Sequence, residues 1–140
     1  MDSTRMHELI DQHMTAEMAG DTAAAVAMYT DDVEHDTVGS PTGALHGPAA
    51  AQQFYDWLVA TLDTEVMDSK REYFGSDFSV MEHECTGVIN GEFMGLAGNG
   101  RRVRFRILHI WEFKDDKISR ENVWLDGGAI AAQLAATAAE

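Results

Sequence analysis

Residues 101–114, RRVRFRILHIWEFK, constrain the fold more than any other stretch of this chain. Arg102, Arg104 and Arg106 alternate with Val103, Phe105 and Ile107, and His109, Trp111 and Phe113 extend the apolar set. A period of two sends successive side chains to opposite faces of a strand, so one face is apolar and the other basic. Lys114-Asp115-Asp116-Lys117 reads as a polar hairpin turn. The returning strand is expected to place Ile118, Arg120, Asn122, Trp124 and Asp126 on one face. Upstream, Met81, His83 and Cys85 alternate with Val80, Glu82, Glu84 and Thr86, and Gly91, Gly95, Gly98 and Gly100 punctuate the link between the two runs. A sheet with one apolar face needs a second layer to cover it.

The first half of the chain supplies that layer. Met6, Leu9, Ile10, His13, Met14 and Glu17 recur at helical spacing behind the N-caps Asp2, Ser3 and Thr4. Gly20 ends this helix, and Asp21 caps a second that is expected to run to Tyr29, broken by Asp31 and Asp32. Val33-Glu34-His35-Asp36-Thr37-Val38-Gly39-Ser40 reads as a short strand entering a turn, and Gly39, Ser40, Pro41 and Gly43 form a loop. Gly47-Pro48 opens a third helix with the stripe Phe54, Leu58, Thr61 and Leu62. The period changes to two after about residue 68, and an alanine-rich tail closes the chain as a helix. Helices and strands are segregated, which is an α+β layout. The expected architecture is one domain over residues 1–140: a cone-shaped curved antiparallel sheet packed against three N-terminal helices, with a pocket inside.

Charge narrows the partners. Ten Lys and Arg stand against 24 Asp and Glu, a net charge of -14, which opposes nucleic acid and anionic membrane surfaces. A single cysteine, Cys85, leaves no internal disulfide and suggests a reducing compartment. The N-terminus has no signal-peptide pattern and no stretch approaches a membrane span, so a cytoplasmic protein is expected.

The run TGVINGEFMGLAGNGRRVRFRILHIWEFKDDKISRENVWLD resembles the SnoaL-like polyketide cyclases, in the superfamily of nuclear transport factor two and ketosteroid isomerase. The matching elements are a T-G followed by G-x-F-x-G-L, G-R-R-V, H-x-W-x-F, a D-x-K-I turn and an aspartate near the end of the last strand. MYTDDVEHDTVGS and HGPAAAQQFYDWL are similar to ketosteroid isomerase around its catalytic aspartate. The resemblance implies the cystatin-like, ketosteroid-isomerase-like α+β barrel. It implies that Asp36 falls at the isomerase general base and His109 at its protonated, oxyanion-donating aspartate. It further implies that His13 falls at the isomerase donor tyrosine and Asp126 at the acid/base aspartate of SnoaL-like cyclases. The function implied is cofactor-independent acid/base chemistry on a small hydrophobic carbonyl compound: cyclisation, isomerisation or dehydration through an enolate.

Each group also has a plainer reading. Asp126 lies at a strand end, where a carboxylate caps the backbone beside Gly127-Gly128. His109 and His13 sit on apolar faces, where a histidine is commonly a satisfied core residue. In the opening strand either Asp36 faces the pocket or His35 does, because neighbours point to opposite sides. The expected catalytic set is Asp126, Asp36 and His109. The expected substrate-binding set is His13, His35, Phe54, Trp57, Phe105, Trp111, Asn122 and Trp124. No metal or cofactor is called for: alternation sends His83 away from Glu82 and Glu84, and Cys85 has no nucleophile signature. Two alternatives stand beside the enzyme reading. One is a non-catalytic small-ligand-binding or dimerisation module of the same fold. The other is an epoxide-hydrolase-like enzyme, which needs an arginine between two pocket aspartates, with Arg120 as the candidate. The uncovered sheet face, carrying Arg102, Arg104 and Arg106 with Leu108 and Ile110, is expected to pair in a homodimer, with the arginines meeting Glu82 and Glu84.

Overall fold

The computed structural model describes residues 1–136. Helix α1 (Ser3–Met18) starts at Asp2, whose carboxylate accepts the Arg5 backbone N–H at 2.8 Å. Helix α2 (Thr22–Val26) is capped in the same way by Asp21. It stops earlier than the sequence suggests. Tyr29 opens strand β1 (Tyr29–Thr37) rather than ending the helix, and Asp31 and Asp32 lie exposed inside that strand. Strand β2 (Leu45–His46) and helix α3 (Pro48–Thr61, with Pro48 in its first turn) follow. The rest is strand until the end: β3 (Leu62–Phe74), β4 (Phe78–Ile89), the small hairpin β5 (Glu92–Phe93) and β6 (Leu96–Ala97), β7 (Arg101–Lys114) and β8 (Lys117–Leu125). Helix α4 (Gly127–Ala135) closes the described chain, and the last residues of the expected tail helix, 137–140, lie outside it.

Six strands form one sheet in the order β2-β1-β8-β7-β4-β3. Its pairings are antiparallel except β1 with β8, which run parallel and bring the first strand against the last. The alternation expected in β7 is seen: Val103, Phe105, Ile107, His109, Trp111 and Phe113 are buried, and Arg102, Arg104 and Arg106 are exposed. Strand β3 begins directly after α3, well before residue 68, and only Leu62 within it is buried. An edge strand that is mostly exposed on both faces carries no clear alternation, so hydrophobic periodicity does not reveal it.

Two apolar clusters form under the sheet's concave face. Met6, Leu9, Ile10, Tyr29, Val33, Tyr55, Trp111 and Ile118 join α1 and α3 to β1, β7 and β8. Leu62, Ile89, Phe93, Val103, Phe105, Ile107, Val123 and Ile130 join the far ends of β4 and β7 to α4. Leu58 of α3 packs against both. A cavity opens where the clusters meet.

Strand β3 approaches β4 closely at Gly87. Strand β3 changes register between Thr64 and Val66 opposite this residue, the mark of a bulge that bends the edge inward. A Cβ at position 87 would lie 2.8 Å from the Asp63 carbonyl oxygen and 3.0 Å from Leu62 Cδ1. The backbone atom cannot rotate away, so Gly87→Ala should destabilise the fold by about 1–3 kcal/mol. Urea unfolding should show a lower midpoint with an unchanged slope; an unchanged midpoint would mean the strands part freely here.

Candidate functional site

A half-open cavity of about 420 Å³ lies between α3 and the concave face of the sheet. Its wall is mostly apolar: Phe54, Leu58, Leu62, Phe93, Phe105, Ile107, Val123 and Leu125 line it. Its mouth lies between the Ser40–Thr42 loop and the β5–β6 hairpin, where Trp57 stacks on Phe93 with centroids 5.7 Å apart. Glu17, His35, Tyr55, His109 and Glu121 are among the polar side chains that also line it.

Glu121 is the centre of that group, and it was not among the residues expected from the sequence. A bulge hides it. Phe113 pairs with Ile118 but Glu112 pairs with Arg120, so Ser119 is an extra residue in β8. The extra residue reverses the parity of everything after it. Beyond it, Glu121, Val123 and Leu125 oppose Trp111, His109 and Ile107 and face the cavity side. Asn122 and Trp124, expected to line the pocket, therefore face the other side of the sheet. Trp124 is 49% exposed, and its indole N–H donates to Asn122 at 2.6 Å. The sequence signal was the Glu within a strand otherwise built for burial, but alternation alone assigns it the wrong face.

Burying a carboxylate without partners is costly, and Glu121, 2% exposed, is held by four groups. Tyr29 donates to Oε1 at 2.7 Å and Tyr55 to Oε2 at 2.8 Å. His13 Nε2 lies 3.1 Å from Oε1, and His35 Nε2 3.6 Å from Oε2. The His13 ring is fixed from behind, since its Nδ1–H donates to the Ala25 carbonyl at 2.9 Å. Burial opposes charge on His13, but the Glu121 carboxylate outweighs it, with help from Glu17, and raises the imidazole to about 9. Burial likewise opposes the charge of Glu121, yet His13 and the surrounding donors hold its carboxyl well below the ordinary range. At neutral pH the pair is a buried ion pair. The same environment pushes both tyrosines well above their usual value, burial first and the Glu121 charge second, so they remain donors.

Glu17 and His109 differ from this fixed pair. Glu17 lies one helical turn beyond His13, with its Oε2 3.7 Å from His13 Nε2 and its side chain 20% exposed. Burial raises its carboxyl to about 7, the Glu121 charge adds to this and the charged His13 opposes it. The C-terminal end of α1 disfavours a negative charge in the same sense. His109 stacks on Trp111 at 5.1 Å and turns its Nε2 toward Glu121 Oε2, 3.8 Å away and beyond hydrogen-bond length. Burial pushes His109 down to about 3, so it is neutral at physiological pH.

The remaining expected residues divide. His35, Phe54, Trp57, Phe105 and His109 line the cavity. His13 and Trp111 are fully buried behind it rather than on its wall, packed edge to face at 5.4 Å. In the opening strand His35 takes the inward position and Asp36 the outward one. There Asp36 accepts from Asn122 at 3.2 Å and lies 3.6 Å from Arg120. This corrects Asp36 as the pocket base. Asp126 caps α4, accepting the Ala129 N–H at 3.1 Å, and borders a groove on the other side of the sheet with Arg106 and Trp124. Its carboxylate is thus engaged at a strand end, in line with the plainer reading. Arg120, flanked by Glu34, Asp36 and Glu112, is on the outer face, so no arginine sits between two carboxylates in the cavity. Among the described residues no His, Cys, Asp and Glu group has metal-binding geometry, and no helix is long and apolar enough to cross a membrane.

The sequence model of the SnoaL-like polyketide cyclases matches residues 8–134, and the chain belongs to that family. No curated protein sequence matches it. Among solved structures it is similar to TsrD from Streptomyces laurentii, with 17% identity and a TM-score of 0.83 over 98% of this chain and 99% of that one. It is similar to a Catenulispora acidiphila protein with the ketosteroid isomerase-like fold, in complex with trimethylamine (12%, TM-score 0.76, covering 95% and 96%). It is also similar to an LEH-like epoxide hydrolase of M. tuberculosis (16%, TM-score 0.74, covering 94% and 90%). Identities this low carry the fold and leave the chemistry to the site.

The His13–Glu121 pair links protonation to folding. A histidine raised from 6.5 to about 9 holds its proton in the folded state where the unfolded chain has lost it. Its contribution is complete below pH 6.5 and disappears as pH rises through about 9, on the order of 3 kcal/mol in all. Thermal melts should show stability falling across that window in the wild type and a much flatter alkaline arm in His13→Gln. Parallel arms in the two proteins would mean the pair does not form.

Proposed function

We propose that this chain is a cofactor-independent acid/base enzyme acting on a small hydrophobic carbonyl compound through an enolate, with Glu17 as the proton carrier. The observation behind this reading is the division of labour between the Glu121 and Glu17 carboxyls. Glu121 is locked as an anion by His13, Tyr29 and Tyr55, which makes it a weak base. Glu17, raised to about 7, is half-ionised near neutral pH and lies on the cavity wall. A base poised near the operating pH is the more effective catalyst.

In the proposed reaction, the Glu17 carboxylate removes a proton from the carbon next to the substrate carbonyl. The C–H electron pair moves into the carbonyl, and the enolate oxygen is held by N–H donors at the His35 and His109 end of the cavity. Protonated Glu17 then returns its proton to a different carbon, which isomerises the substrate. Alternatively the enolate carbon attacks a second carbonyl carbon of the same molecule, whose π pair moves onto its oxygen and takes the proton back from Glu17, which closes a ring as an aldol. Glu121 keeps the donors oriented and its charge opposes ionisation of Glu17. The apolar wall and the Trp57–Phe93 stack suit a ring system of drug size.

The outer face of the sheet supports a second part of the proposal, a homodimer. Leu108 and Trp124 are exposed there and border an open groove with Glu82, Arg106 and Asp126. Arg104 already pairs with Glu84 and Arg102 with Glu65 within the chain, which leaves Arg106 as the arginine facing the groove. Sedimentation at micromolar concentration should give twice the 15.4 kDa chain mass, and a monomer would refute this part.

The acid/base reading is tested by exchange of the α-protons of 2-tetralone in heavy water, followed by proton NMR. The wild type should accelerate exchange over buffer, along a limb rising through about pH 7 as Glu17 ionises. Glu17→Gln should lower the rate by roughly a hundredfold or more and remove that limb. Asp126→Asn, which keeps the helix cap, should leave exchange unchanged. Equal rates for wild type and Glu17→Gln would overturn the assignment. No exchange by the wild type would favour a non-catalytic binding module.

A further inference from the structure

His83 is fully buried in β4, takes no part in the proton transfers above, and has an Nε2 with no hydrogen-bond partner. Its Nδ1 lies 3.3 Å from Nδ1 of His109, with the two rings nearly perpendicular at 86°. We propose that His83 is a positioning residue that fixes the tautomer of His109, so that His109 presents an Nε2–H to the cavity. The role of that N–H in catalysis rests on the acid/base reading; the tautomer itself does not.

Two nitrogens at this separation share one proton, so one ring donates and the other accepts. Burial keeps both rings neutral: His83 is pushed down to about 4 and His109 to about 3, against the opposing pull of Glu121. Each ring therefore carries one N–H, and two arrangements exist. If His109 donates from Nδ1, its Nε2 lone pair points at the Glu121 carboxylate 3.8 Å away, an unfavourable contact. His83 must then carry its own proton on Nε2, where it is a buried donor with no acceptor. If His83 donates from Nδ1, His109 carries its proton on Nε2, facing the Glu121 anion. What remains unpaired is then only the His83 Nε2 lone pair, and an unpaired buried acceptor is the better tolerated fault. Both faults disappear together in the second arrangement, so His83 donates.

The consequence is directional. The His109 Nε2–H is too far from Glu121 for a full hydrogen bond, and Nε2 is on the cavity side. It is a donor in reserve for a ligand oxygen. Trp111, stacked on His109 at 5.1 Å, keeps the ring from turning.

Long-range proton–nitrogen correlation NMR on the protein with labelled histidine reads the tautomers directly, with resonances assigned through His83→Leu and His109→Gln. In the wild type, His109 should be protonated on Nε2 and His83 on Nδ1. His83→Leu should release His109 into a mixture that includes the Nδ1–H form. His83→Asn, whose amide can donate from a similar place, should restore the Nε2–H form. Under the acid/base reading His83→Leu should also lower kcat for 2-tetralone exchange about tenfold with KM nearly unchanged, and His83→Asn should recover most of it. A wild-type His109 protonated on Nδ1 would overturn the proposal, as would a tautomer indifferent to both substitutions. The spectra require no turnover, so absent exchange with the expected tautomers would count against the acid/base reading alone.

Discussion

A carboxylate buried under a sheet is the interaction on which the rest of this structure depends. Glu121 exposes almost none of its surface, and leaving it unpaired would cost more than a small domain can carry. Tyr29 from β1, Tyr55 from α3, His13 from α1 and His35 from β1 all converge on it. Three separate elements, α1, β1 and α3, are thereby tied to β8. The parallel pairing of β1 with β8 serves the same end, since it brings Tyr29 and His35 to the strand that carries Glu121. The two apolar clusters hold the layers together without fixing their relative position; the polar layer between them specifies it.

The ion pair also organises the chemistry of the cavity. A fixed anion makes a second anion nearby expensive, which is part of why Glu17 holds its proton up to about 7. The same kind of burial that raises Glu17 lowers His109, so near neutral pH the carboxyl is about half-ionised and able to exchange protons, while the imidazole is neutral and able to donate a hydrogen bond. Pairs of groups pushed in opposite directions by one environment are what acid/base catalysis requires. In the proposed reaction, structural and chemical roles fall to different residues of one network, the buried pair and the cavity wall.

Much of this was legible in the sequence. The alternation around Phe105, His109 and Trp111 identified the inner face of β7, and the family resemblance over the second half identified the fold. His109 and His35 could be proposed for the cavity because each sits on an inward strand position. What failed was parity across an irregularity. One extra residue at Ser119 sends Glu121 inward and Asn122 and Trp124 outward, and no single-sequence pattern announces a bulge. Asp126 was drawn into the site by resemblance, although its position before Gly127-Gly128 already fitted a helix cap. Glu17 was visible as part of a helical stripe with His13, but its raised carboxyl depends on burial and on the Glu121 charge, which only the folded chain brings near it. Strand β3 was missed for the opposite reason: it is too exposed to show any pattern.

The central claim is that Glu121 and Glu17 have separate duties, Glu121 as a permanent anion and Glu17 as the group that changes charge near neutrality. Carbon-13 NMR titration of the protein labelled at the glutamate carboxyl carbons measures this directly. The account predicts one resonance titrating at about pH 7 that is missing in Glu17→Gln. It also predicts one, missing in Glu121→Gln, that remains ionised to the acid limit of the folded state. Glu121 titrating near neutrality while Glu17 behaves as an ordinary surface carboxylate would contradict it.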